Sequence, residues 1–233
     1  LTDVVADVTV IDRGTLDRSG ASALADVLAR VPGIAFVRNG GPASTTSLYV
    51  RGAETRFTAV FVDGVRVDSQ STGGATWQAL PVSQIERVEV VRGPAAAVYG
   101  SDALGGVIQI FTRKGEPGFA PSVEFGLGTH GTRRLSAALS GASGPVDYAL
   151  GVTRETSDGF NAQPTANPDK DGYRSTSASA RLGLQINPAH RIEATLLDSD
   201  QDAQYDAFTP GRDDHALQDV QTLGLSWSAL WSD

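Results

Sequence analysis

The chain contains two stretches that decide its fold, Ile85-Glu-Arg-Val-Glu-Val-Val-Arg-Gly-Pro94 and Tyr99-Gly-Ser-Asp-Ala-Leu-Gly-Gly-Val-Ile108. The first predicts a strand over 88–92, which ends because Pro94 has no backbone N–H for a ladder. The second predicts a tight turn followed by a strand over Gly106–Thr112, since paired glycines permit close backbone approaches. The two stretches therefore predict neighbouring short strands joined by a glycine-rich connection.

The sequence before these stretches mixes helix and strand signals. Residues 19–31 predict a helix that Ser22 caps and Pro32-Gly33 ends, because apolar residues recur there at helical spacing. Short strands are predicted over 34–37, 47–51 and Thr58–Val62, with turn residues between them. These signals predict an α+β domain over residues 1–118, which is long enough to form its own core.

The second half of the chain has a different period. Six segments alternate apolar with polar or small residues, at 123–127, 135–139, 146–152, 178–186, 192–196 and 223–231. Two connections between them are short, at 128–133 and 140–145, and two are long and polar, at 153–176 and 198–218. Alternation with short turns and long loops is typical of antiparallel transmembrane β-barrel strands. Residues 119–233 are therefore predicted to form the first six or so strands of such a barrel.

A soluble β-sandwich is the alternative, because it also gives short alternating strands. Six strands do not enclose an interior wide enough for a domain, and the last alternating segment runs to Trp231 with no closing turn. We therefore expect the barrel to be incomplete in this chain.

Composition narrows the classes of function. The chain has 233 residues, no cysteine and a net charge of −8, which argues against nucleic-acid binding and excludes cysteine-based chemistry. The histidines lie apart in the sequence, at His130, His190 and His215, and form no catalytic or zinc-ligand spacing. We expect neither an enzyme nor a catalytic cofactor.

Four ordered segments resemble the plug domain of TonB-dependent outer-membrane receptors. They are 26–33, 48–52, 62–65 and the long run over 85–108. Within that family, Asn39-Gly-Gly41, Asp63-Gly-Val-Arg66, Tyr99-Gly-Ser-Asp102 and Tyr205-Asp206 are similar to the cobalamin (corrinoid) receptors. The resemblance implies an outer-membrane transporter of a Gram-negative bacterium, in contact with outer-membrane lipid and energised by the partner TonB.

The resemblance also implies sites on the plug. Arg51 and Arg92 correspond to arginines that pair with barrel carboxylates and lock the plug, although solvent-exposed arginines at strand ends are the alternative. Cargo contacts are expected on two polar, glycine-rich loops, where solvated turns are the alternative. The residues expected to bind cargo are Ser44, Thr45, Thr46, Ser47, Asp68, Thr72 and Gly73.

Acidic residues after the plug are candidate calcium ligands. Asp169-Lys-Asp171-Gly172 begins like an EF-hand loop, but Ala180 stands where the twelfth-position glutamate is required. The resemblance instead implies calcium held between two hairpin loops by Asp169, Asp171, Tyr205 and Asp206, with Asn161 where the family has a carboxylate. Solubilising acids on surface loops are the alternative.

Cobalamin or a related corrinoid is the expected cargo. Two alternatives stay open. The same class of transporter could take a ferric siderophore or a glycan, and a plug-like module could bind a ligand without transporting it.

Overall fold

The computed structural model describes residues 7–21, 23–69, 73–93, 96–100, 103–161, 169–206 and 213–231. The chain divides into two compact units, Leu1–Phe111 and Thr112–Asp233. Among the described residues, no helix is long and apolar enough to cross a membrane. The α+β expectation for the first part and the antiparallel expectation for the second are both confirmed.

The first unit is built from short strands and short helices. Its strands are β1 (Asp7–Ile11), β2 (Ile34–Arg38), β3 (Thr46–Val50), β4 (Thr58–Val62), β5 (Val65–Arg66), β6 (Asp68–Ser69), β7 (Gly74–Ala75), β8 (Ile85–Arg92) and β9 (Gly106–Thr112). Its α-helices are α1 (Arg13–Arg18), α2 (Leu24–Leu28) and α3 (Ala96–Tyr99), and single 3-10 turns lie at Thr55–Phe57, Trp77–Ala79 and Val82–Gln84.

A five-stranded sheet in the order β1-β8-β9-β4-β5 organises this unit. β1 runs antiparallel to β8, whereas β4 and β9 are parallel. On β8 the buried residues alternate, among them Val88 and Val90, whereas nearly every residue of β4 is buried, as expected for a strand covered on both faces. The two segments that decide the fold are thus the second and third strands of this sheet.

The predicted helix over 19–31 is wrong at both ends, because the helix found within it, α2, spans only Leu24–Leu28. The structure has two short helices, because Gly20 adopts a left-handed φ of 64° and interrupts the turns. Ser19 ends α1, where its backbone N–H donates to Leu16. α2 begins only at Leu24, after Ala23, and Ser22, the predicted cap, lies outside the described residues.

The described residues of the second unit form six antiparallel strands in sequence order. They are β10 (Gly118–Leu127), β11 (Arg133–Ser143), β12 (Val146–Phe160), β13 (Asp171–Asn187), β14 (His190–Asp206) and β15 (Asp213–Ala229). Connections at one end of the sheet are two residues long, at 144–145 and 188–189. Those at the other end, called here the loop end, are longer, at 128–132, 161–170 and 207–212.

The predicted long loops over 153–176 and 198–218 are mostly strand. β12 continues to Phe160, β13 starts at Asp171, and β14 and β15 each span 17 residues. Near the loop end both faces of these strands carry polar side chains, so the apolar–polar alternation disappears although the hydrogen-bonded ladder continues. Periodicity therefore underestimated the length of the strands.

Candidate functional site

The first expected cargo loop is the turn of the β2–β3 hairpin. The backbone N–H of Asn39 donates to Thr45 O at 3.1 Å and that of Ser44 donates to Gly41 O at 2.9 Å. Gly40 has a φ of 123°, and a Cβ there would lie 2.8 Å from Ser44 Oγ. The turn is therefore closely packed around Ser44, which is itself buried.

Exposure differs among the four residues expected to bind cargo in this hairpin. Thr45 is exposed and Ser47 is half-buried. Thr46 is buried, and its hydroxyl donates to Ser44 O at 3.0 Å while accepting from Arg38 Nε at 3.2 Å. Because Thr46 already uses its hydroxyl, it supports the shape of the turn, and Thr45 has the side chain most available to a ligand.

The second expected cargo loop joins β6 to β7. Arg66 makes two hydrogen bonds to Asp68, from Nε at 2.7 Å and from Nη2 at 2.6 Å. Gly73 adopts a φ of 68° against the side chain of Arg56. Thr72 lies outside the described residues. Both oxygens of the Asp68 carboxylate thus already accept hydrogen bonds from Arg66.

Arg51 and Arg92 converge on one carboxylate within the first unit. Arg92 donates to Asp7 from Nε at 2.8 Å and from Nη2 at 2.6 Å, and Arg51 Nη2 donates to Asp7 at 2.9 Å. Arg51 adopts a left-handed φ of 52°, and its backbone N–H donates to Gly33 O at 2.7 Å. Sequence reasoning missed Asp7, because nothing near it in the chain marks it as a partner of residues so distant.

The charges of this cluster follow from its hydrogen bonds. Donation from Arg92, together with Arg51, holds the pKa of Asp7 below its usual value, and the same contact raises the pKa of Arg92. The Arg92 side chain is only 8% exposed. Its buried Nη1 has no hydrogen-bond partner among the described residues, so this guanidinium retains a donor for one further acceptor.

The five residues expected to bind calcium lie at the loop end of the second unit. Asn161 follows the last residue of β12, and Asp169 lies two residues before the start of β13. Asp171 and Tyr205 each lie two residues beyond the paired residues Tyr173 and Ala203. The register therefore brings the predicted ligands to one edge of three neighbouring strands.

All of these side chains offer oxygen ligands, which is the chemistry that calcium prefers. Among the described residues, however, no group of three or more acidic, histidine or cysteine side chains converges to hold a metal ion. The donor types and the shared edge fit calcium, whereas a closed ligand shell is not formed by the described residues.

The six-stranded sheet has two chemically different faces. Its apolar face carries large exposed side chains such as Phe125, Leu150, Leu182 and Leu225. The opposite, polar face carries buried serine, threonine and charged residues, including an ion pair of Arg181 with Glu193 at 2.5 Å. An apolar face backed by a polar one is the pattern of strands that meet lipid on one side only.

Aromatic side chains mark the end of the apolar face near the two-residue turns. His190 stacks on Trp227 with ring centroids 5.7 Å apart, and Trp231 lies 6.4 Å from Trp227. Aromatic rings with a polar edge favour the boundary between lipid and water. The sequence showed these tryptophans, but only the strand pairing places His190 beside them.

A family model described as the TonB-dependent Receptor Plug Domain matches residues 1–107. Curated relatives include the vitamin B12 transporter BtuB of Photobacterium profundum, 32% identical over 88% of this chain and 34% of that protein. BtuB of Vibrio vulnificus is 34% identical over 89% of the chain and 34% of its own length. The chain thus spans about a third of the length of the relatives it matches.

Solved structures share the fold. The siderophore receptor PirA of Acinetobacter baumannii superposes with a TM-score of 0.77 at 23% identity, covering 97% of this chain and 38% of that one. FpvA of Pseudomonas aeruginosa, bound to heterologous pyoverdines, gives a TM-score of 0.82 at 18% identity, covering 99% and 32%. With its plug unit, its two-faced antiparallel strands and these relatives, the chain belongs to the TonB-dependent outer-membrane receptors of Gram-negative bacteria.

Proposed function

We propose that the full-length receptor takes up cobalamin or a related corrinoid across the outer membrane, using energy supplied by TonB. The main support for this choice of cargo is the match to vitamin B12 transporters along nearly nine tenths of this chain, through the plug and into the strands. The outer membrane has no nucleotide supply or ion gradient of its own. Work on the plug must therefore come from a partner.

Cargo contacts are proposed on the two plug hairpins. The turn around Ser44 offers the hydroxyls of Thr45 and Ser47 at positions that remain accessible. The Arg66–Asp68 pair shapes the second hairpin, in which Gly73 lies next to β7; Thr72 is a further proposed contact. Hydroxyls and backbone amides suit a ligand fringed with amides, since each side supplies both donors and acceptors.

The lock between plug and barrel remains a proposal that two features support. Arg51 and Arg92 lie side by side on a shared carboxylate. Arg92 also keeps a buried donor with no partner among the described residues. A second carboxylate would complete this cluster by charge-assisted hydrogen bonds, which are stronger than neutral ones.

Calcium is proposed to order the loop end. Asp169, Asp171, Tyr205 and Asp206 would supply most of the oxygen ligands, and Asn161 would supply a neutral one. Because the described side chains do not converge on their own, the ion is expected to draw the neighbouring connections together rather than to enter a finished cage.

Titration calorimetry on the purified full-length receptor tests this proposal. We expect cyanocobalamin to bind, and to bind more tightly with millimolar calcium than with a chelator. Asp171→Asn should reduce the calcium effect, whereas Asp219→Asn, on β15 and outside the proposed ligand set, should preserve it. Absence of cyanocobalamin binding under both conditions would overturn the corrinoid proposal.

A ferric siderophore is the second candidate cargo, because the superposed structures include the siderophore receptor PirA and FpvA bound to pyoverdines. At 23% and 18% identity these structures establish only the fold, so they weigh less than the sequence relatives. The same titration with a ferric catecholate or a ferric hydroxamate separates the two cargos. Binding of the iron chelate without binding of cyanocobalamin would favour this candidate.

A further inference from the structure

Three exposed arginines lie together on the apolar face of the six-stranded sheet, near its loop end. We name Arg133, Arg154 and Arg174 the arginine patch; they belong to β11, β12 and β13. Arg133 pairs with Thr156, which pairs with Arg174, so these two arginines flank one residue in a single row. Arg154 lies two residues along β12 from Thr156, diagonal to both, at about 7–8 Å between backbones.

The patch has no internal counter-charge. Among the described residues, none of the three guanidinium groups makes an ion pair or a side-chain hydrogen bond. Asp202 is the residue directly opposite Arg174 on β14, yet its carboxylate lies 2.7 Å from His215 Nδ1 instead. Three long cations on rigid strands are thus left facing solvent, although carboxylates lie nearby.

The position of the patch relative to the apolar face is well defined. Arg154 follows Val152 by two residues, about 7 Å along a strand, and it pairs with Leu135. Val152 and Leu135 are apolar side chains 48% and 54% exposed. On β11 and β12 the patch therefore begins where the apolar residues end, on the side of the longer connections, while exposed Leu127 and Leu217 lie at the two ends of its outer row. In outer-membrane proteins the longer connections are extracellular.

We propose that the arginine patch binds the phosphate groups of an anionic glycolipid headgroup in the outer leaflet. A surface cation directly above an apolar band meets a lipid headgroup rather than bulk water. Guanidinium groups recognise phosphate by paired, charge-assisted hydrogen bonds. This interaction concerns lipid and not cargo, so it stands or falls separately from corrinoid transport.

The neighbouring strands restrict where the headgroup lies. On the same face, β14 and β15 carry Asp202, Asp200 and Asp219 in the rows that continue from the patch. These carboxylates repel phosphate and confine it to β11–β13. Asp158, the carboxylate on the same face of β12, lies farther toward the loop end. Together with Thr156 and Arg174 it lines a polar cleft of about 360 Å³, which offers room for the sugars.

The test uses the full-length receptor in detergent, titrated with a bisphosphorylated diglucosamine lipid and followed by native mass spectrometry. Each arginine is expected to contribute about fivefold in affinity. Arg133→Gln, Arg154→Gln and Arg174→Gln combined should therefore weaken retention of this lipid on the order of 100-fold. The matching lysine triple variant should retain most of the affinity, and Asp200→Asn with Asp219→Asn should not weaken it.

Two further arms identify the source of the phosphate. The same lipid without its phosphates should bind equally well to wild type and to the glutamine variant. Millimolar inorganic phosphate should not displace the intact lipid from wild type. Equal binding of the intact lipid by wild type and glutamine variant would overturn the proposal. So would equally effective competition by inorganic phosphate, which would mark a site for free anions only. Cyanocobalamin binding should be the same in both proteins, and its loss in both would count against the cargo alone.

Discussion

At the scale of single residues, Asp7 connects the first strand of the plug to two arginines far along the chain. Its carboxylate accepts hydrogen bonds from Arg51 and Arg92 at 2.6 to 2.9 Å, and its backbone pairs with Arg92 in the β1–β8 ladder. β1 is an edge strand of the five-stranded sheet, so little else restrains its amino-terminal end. We therefore expect Asp7 to hold this end of the strand in place.

Replacing Asp7 by asparagine removes the charge and preserves the size of the side chain. In the full-length receptor, Asp7→Asn should increase hydrogen exchange of the β1 amides and leave the β10–β15 amides unchanged. Asp17→Asn is the control, because Asp17 pairs with Arg13 four residues away, within α1. Equal protection of β1 in wild type and Asp7→Asn would show that the cluster does not hold the strand.

The same contact has a defined dependence on pH. The pKa of Asp7 is lowered in the fold, by donation from Arg92 first, while an unfolded aspartate titrates near about 3.9. The stabilising contribution is therefore complete above the unfolded pKa and is lost as pH falls through the lower, folded pKa. Exchange of β1 in wild type should approach that of Asp7→Asn only in this acidic range. A difference that disappears near neutral pH would contradict this assignment.

At the scale of elements, close contacts of glycine explain why the two fold-deciding stretches pair as they do. A Cβ on Gly106 would lie 2.5 Å from the backbone oxygen of Val91 and 3.3 Å from Val50 Cγ1. β8 and β9 therefore approach each other at a point where no side chain fits. This contact is the physical reason for glycine at position 106.

Gly106→Ala should destabilise the plug by about 1–3 kcal/mol, as overpacking of a close-packed site does. Faster hydrogen exchange of the β8 and β9 amides in the full-length receptor would report this loss of stability. Gly14→Ala is the matched control, because a Cβ there meets only the end of the Arg18 side chain, at 3.1 Å. Alanine in that helix should be neutral or slightly stabilising. Wild-type exchange in Gly106→Ala would contradict the packing described here.

The elements also show what the sequence could predict. Thr58–Val62 and Gly106–Thr112 match their strands residue for residue, because turn residues bound them on both sides. Helix α1 was missed, since Gly14 weakens the helical signal, although Asp12 caps it by accepting from Thr15 N–H at 2.8 Å. Of the residues expected to bind cargo, Thr46, Ser47 and Asp68 lie on strands. The hydrogen bonds of Thr46 and Asp68 depend on Arg38 and Arg66. Those orientations cannot be read from spacing.

At the scale of the whole molecule, the two faces of the six-stranded sheet separate lipid contact from polar contact. The expectation of barrel strands arose from alternation alone, and the exposed side chains on the apolar face agree with it. Strand lengths could not be predicted in the same way, because the alternation ends at about Val152 whereas β12 continues to Phe160. Arg154 of the arginine patch lies within this extension of β12, and Arg133 and Arg174 lie just outside the alternating segments of β11 and β13.

Leu150→Arg tests the lipid-facing assignment. An arginine on a lipid-facing strand near the middle of the bilayer costs about 2–4 kcal/mol, so urea titration of the receptor folded in vesicles should show a loss of this size. Thr176→Arg is the control. Thr176 lies on the same face, directly opposite Arg154 and beyond the apolar residues, so this substitution should change the stability little. Equal stability of the two variants would contradict the placement of the apolar face in lipid.

Uptake in living cells tests the central claim most directly. Gram-negative cells that lack their own cobalamin receptor would express the full-length receptor, with and without TonB, and accumulation of radiolabelled cyanocobalamin would be measured. We predict saturable accumulation that depends on both the receptor and TonB. Accumulation that is the same without TonB, or no accumulation of cyanocobalamin in cells that do import a ferric siderophore through this receptor, would contradict the proposed function.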